Sequence, residues 1–252
     1  MRYFFEISYL GTDFNGWQTQ PNGQGVQEVV EQALSKLCKT PVSITGSGRT
    51  DTGVHCRSQY FHADLNWPSD LSDLLHRLNS FLPRSISIKD IRPVKPDANA
   101  RFDARSRTYH YIITRKKDPL LHGRALYFFK PLDVAAMQRA AKQLIGTHDF
   151  ESFSKVKTDV NNFNCTVREA RWEEVGDLLI FSITANRFLR GMVRAIVGTL
   201  LDVGTGKISA ADFKAIVSGR DRKRAGMNVA PEGLYLMAVT YPASVFLKKS
   251  VH

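Results

Sequence analysis

The chain has 252 residues, enough for one large domain or two ordinary ones, and its 43% hydrophobic and 23% charged content is that of a folded protein with a sizeable core. Its 35 Lys and Arg against 24 Asp and Glu give a formal charge of +11, which excludes an acidic surface and draws the molecule towards polyanions, although an inert basic surface would carry the same charge. Cys38, Cys56 and Cys165 are widely spaced with no CxxC pair, so neither a disulfide framework nor a thiolate zinc site is expected, and a reducing cytoplasm fits. No apolar run approaches the ~20 residues of a membrane span. The first residues alternate and carry Glu6, which reads as a strand and not as a signal peptide.

In chain order, Tyr3–Ser8 reads as a strand. Val26, Val29, Val30, Ala33, Leu34 and Leu37 follow the spacing of an amphipathic helix. Val42–Thr45 and Gln59–Leu65 are short strands flanking the Gly-rich segment Gly46–Gly53. Leu71, Leu74, Leu75 and Leu78 mark a second helix, and Ser85–Ile91 a strand, completing the β-α-β-β-α-β order of a split βαβ unit. The second half repeats the pattern with little sequence identity to the first. Thr108–Thr114 is a strand, and a helix from Val134 to Ile145 follows the N-cap candidate Asp133. Val167–Glu173 and Leu178–Ala185 form a hairpin around Gly176-Asp177. Phe188–Val203 reads as a long helix. A shorter helix runs from the capping box Ser209-x-x-Asp212 to Gly219, and Leu234–Thr240 is a last strand.

The segment Gly46-Ser-Gly-Arg-Thr-Asp-Thr-Gly-Val-His55 sets one carboxylate, Asp51, among three glycines in a tight loop. Most loop aspartates merely close an Asx-turn. The spacing fits neither GxxxxGK[ST] nor GxGxxG, so a phosphate-cradling loop is not expected. His55, His62, His110 and His148 lack HxxxH or HxH spacing, so no metal site is expected.

Gly48-Arg-Thr-Asp-Thr-Gly-Val-His55 resembles the signature of the tRNA pseudouridine synthase A family, with Asp51 at the catalytic aspartate. Tyr9-Leu-Gly-Thr-Asp-Phe-Asn-Gly-Trp-Gln18, Gly25-Val-Gln27, Leu78-Asn79 with Leu82-Pro83, and Ala100-Arg-Phe-Asp-Ala104 with Arg107-Thr-Tyr109 match in order. Gly146-Thr-His-Asp-Phe150 and Ala230-Pro-Glu-Gly-Leu234 extend the likeness over nearly the whole chain. Thr52 departs from the usual Ala, a His is missing before Ala100, and Met227-Asn228-Val229 replaces a more usual Thr.

The resemblance implies an isomerase that detaches uracil from C1′, turns it over and rejoins it through C5. No redox step or group donor is needed, and a single aspartate serves as nucleophile. A second carboxylate is not evident near Asp51, which argues against a two-carboxylate glycosidase. A cation is expected to orient Asp51 instead, and the resemblance points to Arg194. Helical spacing agrees: Arg187, Arg190 and Arg194 would share one flank of the Phe188–Val203 helix, Arg194 next to its apolar face. Arg187 and Arg190 are then expected to hold RNA phosphate, although a solvated basic stripe is common on helices.

Extruding a paired uridine costs a few kcal/mol, and an aromatic platform returns ~1–3 kcal/mol per stacked base. Tyr109 matches the family's active-site tyrosine, and Arg49 its base-flipping arginine. The expected fold is α+β, with two split-βαβ (RRM-like, ferredoxin-like) halves around a central catalytic cleft. Residues 1–105 would carry the aspartate loop and 106–252 the Tyr and Arg. The resemblance further implies a cytoplasmic homodimer acting on uridines 38, 39 and 40 of the tRNA anticodon stem-loop. The alternatives are a non-catalytic RNA-binding protein, weakened by the lack of an RNP-like octapeptide, and an N-glycoside hydrolase releasing uracil.

Overall fold

The computed structural model describes residues 1–20, 23–155 and 162–247. It is α+β, and it divides into two compact units. One is Met1–Arg105 together with the segment from Leu236 on; the other is Ser106–Tyr235.

In the first unit the elements are β1 (Arg2–Tyr9), α1 (Val26–Cys38), β2 (Thr45–Gly46), β3 (His55–Asp64), α2 (Leu71–Phe81) and β4 (Ile86–Pro93). β1 lies antiparallel between β3 and β4, and β2 is antiparallel to β3. That is the split βαβ topology expected from the sequence. Tyr3, Phe5, Ile7 and Tyr9 share one face of β1 and are all buried. The Phe5 and Phe61 rings stack at 4.7 Å there. β2 is shorter than the expected Val42–Thr45 for a local reason. The Val42 and Ile44 N–H groups donate to Ser35 Oγ and Glu31 Oε1 of α1, both at 2.9 Å, instead of to a neighbouring strand.

The second unit contains β5 (Ser106–Thr114), β6 (Leu126–Tyr127), α3 (Val134–Lys142), β7 (Gly146–Asp149), β8 (Asn164–Val175), β9 (Leu178–Ala185), α4 (Met192–Gly204) and α5 (Ala210–Ser218). Its strands run in the order β5-β9-β8-β7, each antiparallel to the next. β9 thus lies between β5 and β8 as β3 lies between β1 and β2, so the duplication is one of topology. Asp133 caps α3 by accepting from Ala136 N at 2.8 Å. Ser209 and Asp212 complete the capping box of α5.

The chain's last strand, β10 (Leu234–Thr240), neighbours β3. From Leu236 on it clusters with the first unit, although the sequence placed it with 106–252. Phe4 gives the reason. It points to the opposite face of β1 from Phe5, and its cover is Val94, Ala98, Ala100 and Val245, with Tyr241 and Phe246 packed alongside.

The helix expected over Phe188–Val203 begins only at Met192. Apolar spacing continues through Phe188, but Gly191 sits at the N-cap with φ +73°, left-handed backbone that breaks the α-helical run. Within α4 every residue is buried except Arg194 and Asp202. The segment 226–229 lies along it: Gly226 N donates to Thr199 Oγ1 at 2.8 Å and Val229 N to Arg194 O at 3.3 Å. A Cβ at Gly198 would stand 1.9 Å from Met227 O, inside any real contact distance. Gly198→Ala should therefore lift 226–229 from α4 and destabilise the fold by about 1–3 kcal/mol, the usual range for overpacking. Urea unfolding at equilibrium measures it.

Candidate active site

The Gly46–His55 loop is braced from behind by the segment that follows β1. Trp17 N donates to Thr50 O at 3.2 Å, Gly53 N to Phe14 O at 3.4 Å, and Gly11 N to His55 Nδ1 at 3.0 Å. Accepting at Nδ1 places the proton of a neutral His55 on Nε2. Phe14 and Trp17 are buried despite their loop setting. Gly16 has φ +81°, and a Cβ there would lie 2.4 Å from Thr50 O, so only glycine lets the two backbones approach. Further support comes from the strands. Tyr9 Oη is 2.8 Å from Thr50 Oγ1 and donates to Gln59 Oε1 at 3.0 Å, while Gln59 Nε2 donates to Gly48 O at 2.9 Å. Asp51 is half-buried, its carbonyl accepting from Val54 N at 3.2 Å, and Arg49 is exposed.

The other expected site residues belong to the second unit. Tyr109 is half-buried on β5 opposite Ile183 of β9, and its ring meets Phe188 edge-on, centroids 5.0 Å apart at 84°. Tyr111 is, like Ile113, a fully buried core residue of that strand, with Oη donating to Ala230 O at 2.7 Å. Arg194 is half-buried on the first turn of α4, and its Nε donates to Val229 O at 2.7 Å. That bond and the Val229 N–H bond fix Val229 and Arg194 to each other at two points.

Arg187 and Arg190 require a correction. They lie in the connector between β9 and α4, not on a helical flank with Arg194. Arg187 N donates to Asn186 Oδ1 at 2.8 Å, an oxygen that also accepts from Thr166 N. Its guanidinium is close enough to Cys165 to oppose the burial that pushes that thiol up to about 11. Arg190 is exposed, and its carbonyl accepts from Lys155 N at 3.0 Å. Arg222, in the basic run between α5 and the 226–229 segment, is committed to structure. Its guanidinium donates to the Ala225 and Gly226 carbonyls and, at 2.9 Å, to Asn228 Oδ1.

The structure thus brings Arg49 and Asp51 onto one loop of the first unit, and Tyr109 beside Phe188 and the 186–191 connector in the second. Sequence reasoning missed Gln59, the edge-on partner Phe188, and the backbone of Val229. Gln59 looks like an ordinary strand residue, and only its complete burial marks it. Among the described residues no group of three or more His, Cys, Asp or Glu is placed to hold a metal ion.

The family model described as tRNA pseudouridine synthase matches residues 7–103 and 140–242. Similar curated proteins carry the name tRNA pseudouridine synthase A. One from Porphyromonas gingivalis is 50% identical over 250 residues, spanning 98% of this chain and 99% of that relative. One from Parabacteroides distasonis is 48% identical over 246 residues, 97% and 98% of the two chains. A third, from Bacteroides fragilis, is 43% identical over 247 residues, again 97% and 98%. With the aspartate loop inside the first segment that the family model matches, and relatives of such identity covering nearly the whole chain, the chain belongs to the tRNA pseudouridine synthase family.

Proposed function

We propose that this protein isomerises uridine to pseudouridine at positions 38, 39 and 40 of the tRNA anticodon stem-loop, with Asp51 as its nucleophile. The observation that carries the proposal is the aspartate loop itself. Its backbone is held from two sides, while Arg49 stays exposed and Asp51 only half-buried. A structural Asx-turn would need no such bracing.

In this proposal Asp51 assists departure of uracil from C1′ and is released when C5 joins C1′. C5 gives up its proton to solvent and N1, freed from C1′, takes one up, so the product is an isomer of the substrate, with no redox change and no call for a cofactor. The family likeness makes Arg194 the cation that orients the carboxylate, and within its own unit the Nε bond to Val229 O holds the guanidinium on a helix whose other residues, Asp202 apart, are buried. Tyr109 offers its face to the extruded base, with Phe188 supporting the ring from its edge. Arg49 fills the space the base leaves. Arg187 and Arg190 contact phosphate from the connector before α4, where Arg190 is exposed and Arg187 half-buried. No helix among the described residues is long and apolar enough to cross a membrane. The chain's place of action is proposed as the cytoplasm, and its working form as a homodimer. A non-catalytic RNA-binding role would leave a braced aspartate without a purpose.

Asp51→Asn keeps the shape of the side chain and removes its charge. In a tritium-release assay on tRNA labelled at uracil C5, turnover should fall at least ~100-fold, a barrier change of about 2.7 kcal/mol. Affinity for tRNA should stay within about 3-fold, since the phosphate-binding groups lie elsewhere. Retention of more than about a tenth of the activity sinks the nucleophile assignment.

Arg187→Glu with Arg190→Glu should weaken tRNA binding and flatten its salt dependence. Each phosphate no longer neutralised takes roughly 0.7–0.9 from the slope of log K against log[salt]. Affinity titrations at several salt concentrations read the slope. An unchanged value makes the connector a solvated segment and moves the RNA path elsewhere.

A further inference from the structure

We infer that Tyr9 and Gln59 are positioning residues for the reaction, acting through Thr50 to fix the turn that presents Asp51 and Arg49. The inference rests on the function proposed above. Its basis is a hydrogen-bond chain whose direction the chemistry determines. A backbone carbonyl only accepts, so the Gln59 group at Gly48 O must be its NH2, at 2.9 Å. That orients Gln59 Oε1 towards Tyr9, whose hydroxyl therefore donates to it at 3.0 Å. With its proton so used, Tyr9 Oη accepts from Thr50 Oγ1 at 2.8 Å. Thr50 to Tyr9 to Gln59 to Gly48 is thus one closed path, running out of the loop and back into it.

Both ends of the path grip the same turn. Gly48 is held by its carbonyl and Thr50 by its hydroxyl, and Arg49 sits between them. Thr50 is gripped again through its own carbonyl by Trp17 N at 3.2 Å. Tyr9, Thr50 and Gln59 are 4%, 8% and 0% exposed, so water does not compete for these bonds as it would at a surface. With Thr50 pointing inward, its neighbours Arg49 and Asp51 are left as the more exposed side chains of the turn. None of the three path residues reaches substrate in this scheme. They remove alternative conformations from a loop with glycines at positions 46, 48 and 53. A displacement of about 1 Å at a reacting group can reduce rate ~100-fold, so a clamp of this kind shows in kcat before it shows in binding.

The test compares Tyr9→Phe, Thr50→Val, Thr50→Ser and the double variant Tyr9→Phe/Thr50→Val with unmodified tRNA as substrate, at a temperature where circular dichroism shows each folded. Tyr9→Phe and Thr50→Val should each lower kcat about 10-fold or more, with KM for tRNA within about 3-fold of the parent. The double variant should be no slower than the slower single one, because both break the same path. Thr50→Ser keeps the hydroxyl and should recover most of the loss. Variants that lose thermal stability but keep kcat within about 2-fold make the path structural only and overturn the inference. Losses that multiply in the double variant overturn it too. A parent protein that forms no pseudouridine fails the proposed function instead. The clamp is then judged by amide hydrogen exchange across residues 46–55, which Tyr9→Phe should accelerate about 5-fold or more. Unchanged exchange there refutes the clamp whatever the activity.

Discussion

Holding a glycine-rich loop in one conformation is costly. Each residue fixed loses about 1–2 kcal/mol of backbone entropy, with glycine at the high end. The Gly46–His55 loop meets that cost with bonds from two directions. The strands contribute Tyr9 and Gln59, and the turn after β1 contributes Phe14, Trp17 and the close approach of Gly16 to Thr50. The consequence is a division of labour along the first unit. Tyr9 to Gln18, which looks like a surface loop in sequence, is the backing of the loop, and the residues that would meet RNA are the few that the backing leaves outward. A rigid support beneath a short functional loop is what preorganised chemistry requires.

The second unit solves a similar problem with a helix. α4 is buried nearly all round, so a cation on it is held to one place by the packing on either side. The 226–229 segment does the holding through backbone atoms: Gly226 N on Thr199, Met227 O against Gly198, and Val229 N and O on Arg194. Met227 is 87% exposed and its backbone is the part in use. Thr52, the departure next to Asp51, is likewise exposed and forms no part of the buried path beneath the loop.

The α+β class, the repeated topology, the Asp133 cap and the Ser209 capping box are legible in the sequence because each depends on local spacing and local chemistry. The long helix is shorter than its spacing implies because periodicity carries no information on backbone handedness. Phe188 and Leu189 continue the apolar pattern across Gly191, and only the left-handed φ at Gly191 separates them from α4. β2 begins later than its residues suggest because side chains of α1 take the backbone donors of Val42 and Ile44, a tertiary pairing that strand periodicity does not encode. Asp51 stands out by its loop and its family likeness, whereas Gln59 does not, since a buried amide in a strand looks like any polar residue until its partners are known. The C-terminal segment joins the first unit because Phe4 needs cover on its second face, which alternation in β1 implies without saying what supplies it.

The central claim is that a single braced aspartate rearranges uridine in tRNA without releasing the base. Incubating the pure protein with unmodified tRNA, then treating it with carbodiimide and mapping stops by primer extension, tests it most directly. Pseudouridine-dependent stops at positions 38, 39 or 40, with no free uracil in the supernatant, are the expected result. Free uracil, or intact uridine despite tight tRNA binding, contradicts the claim.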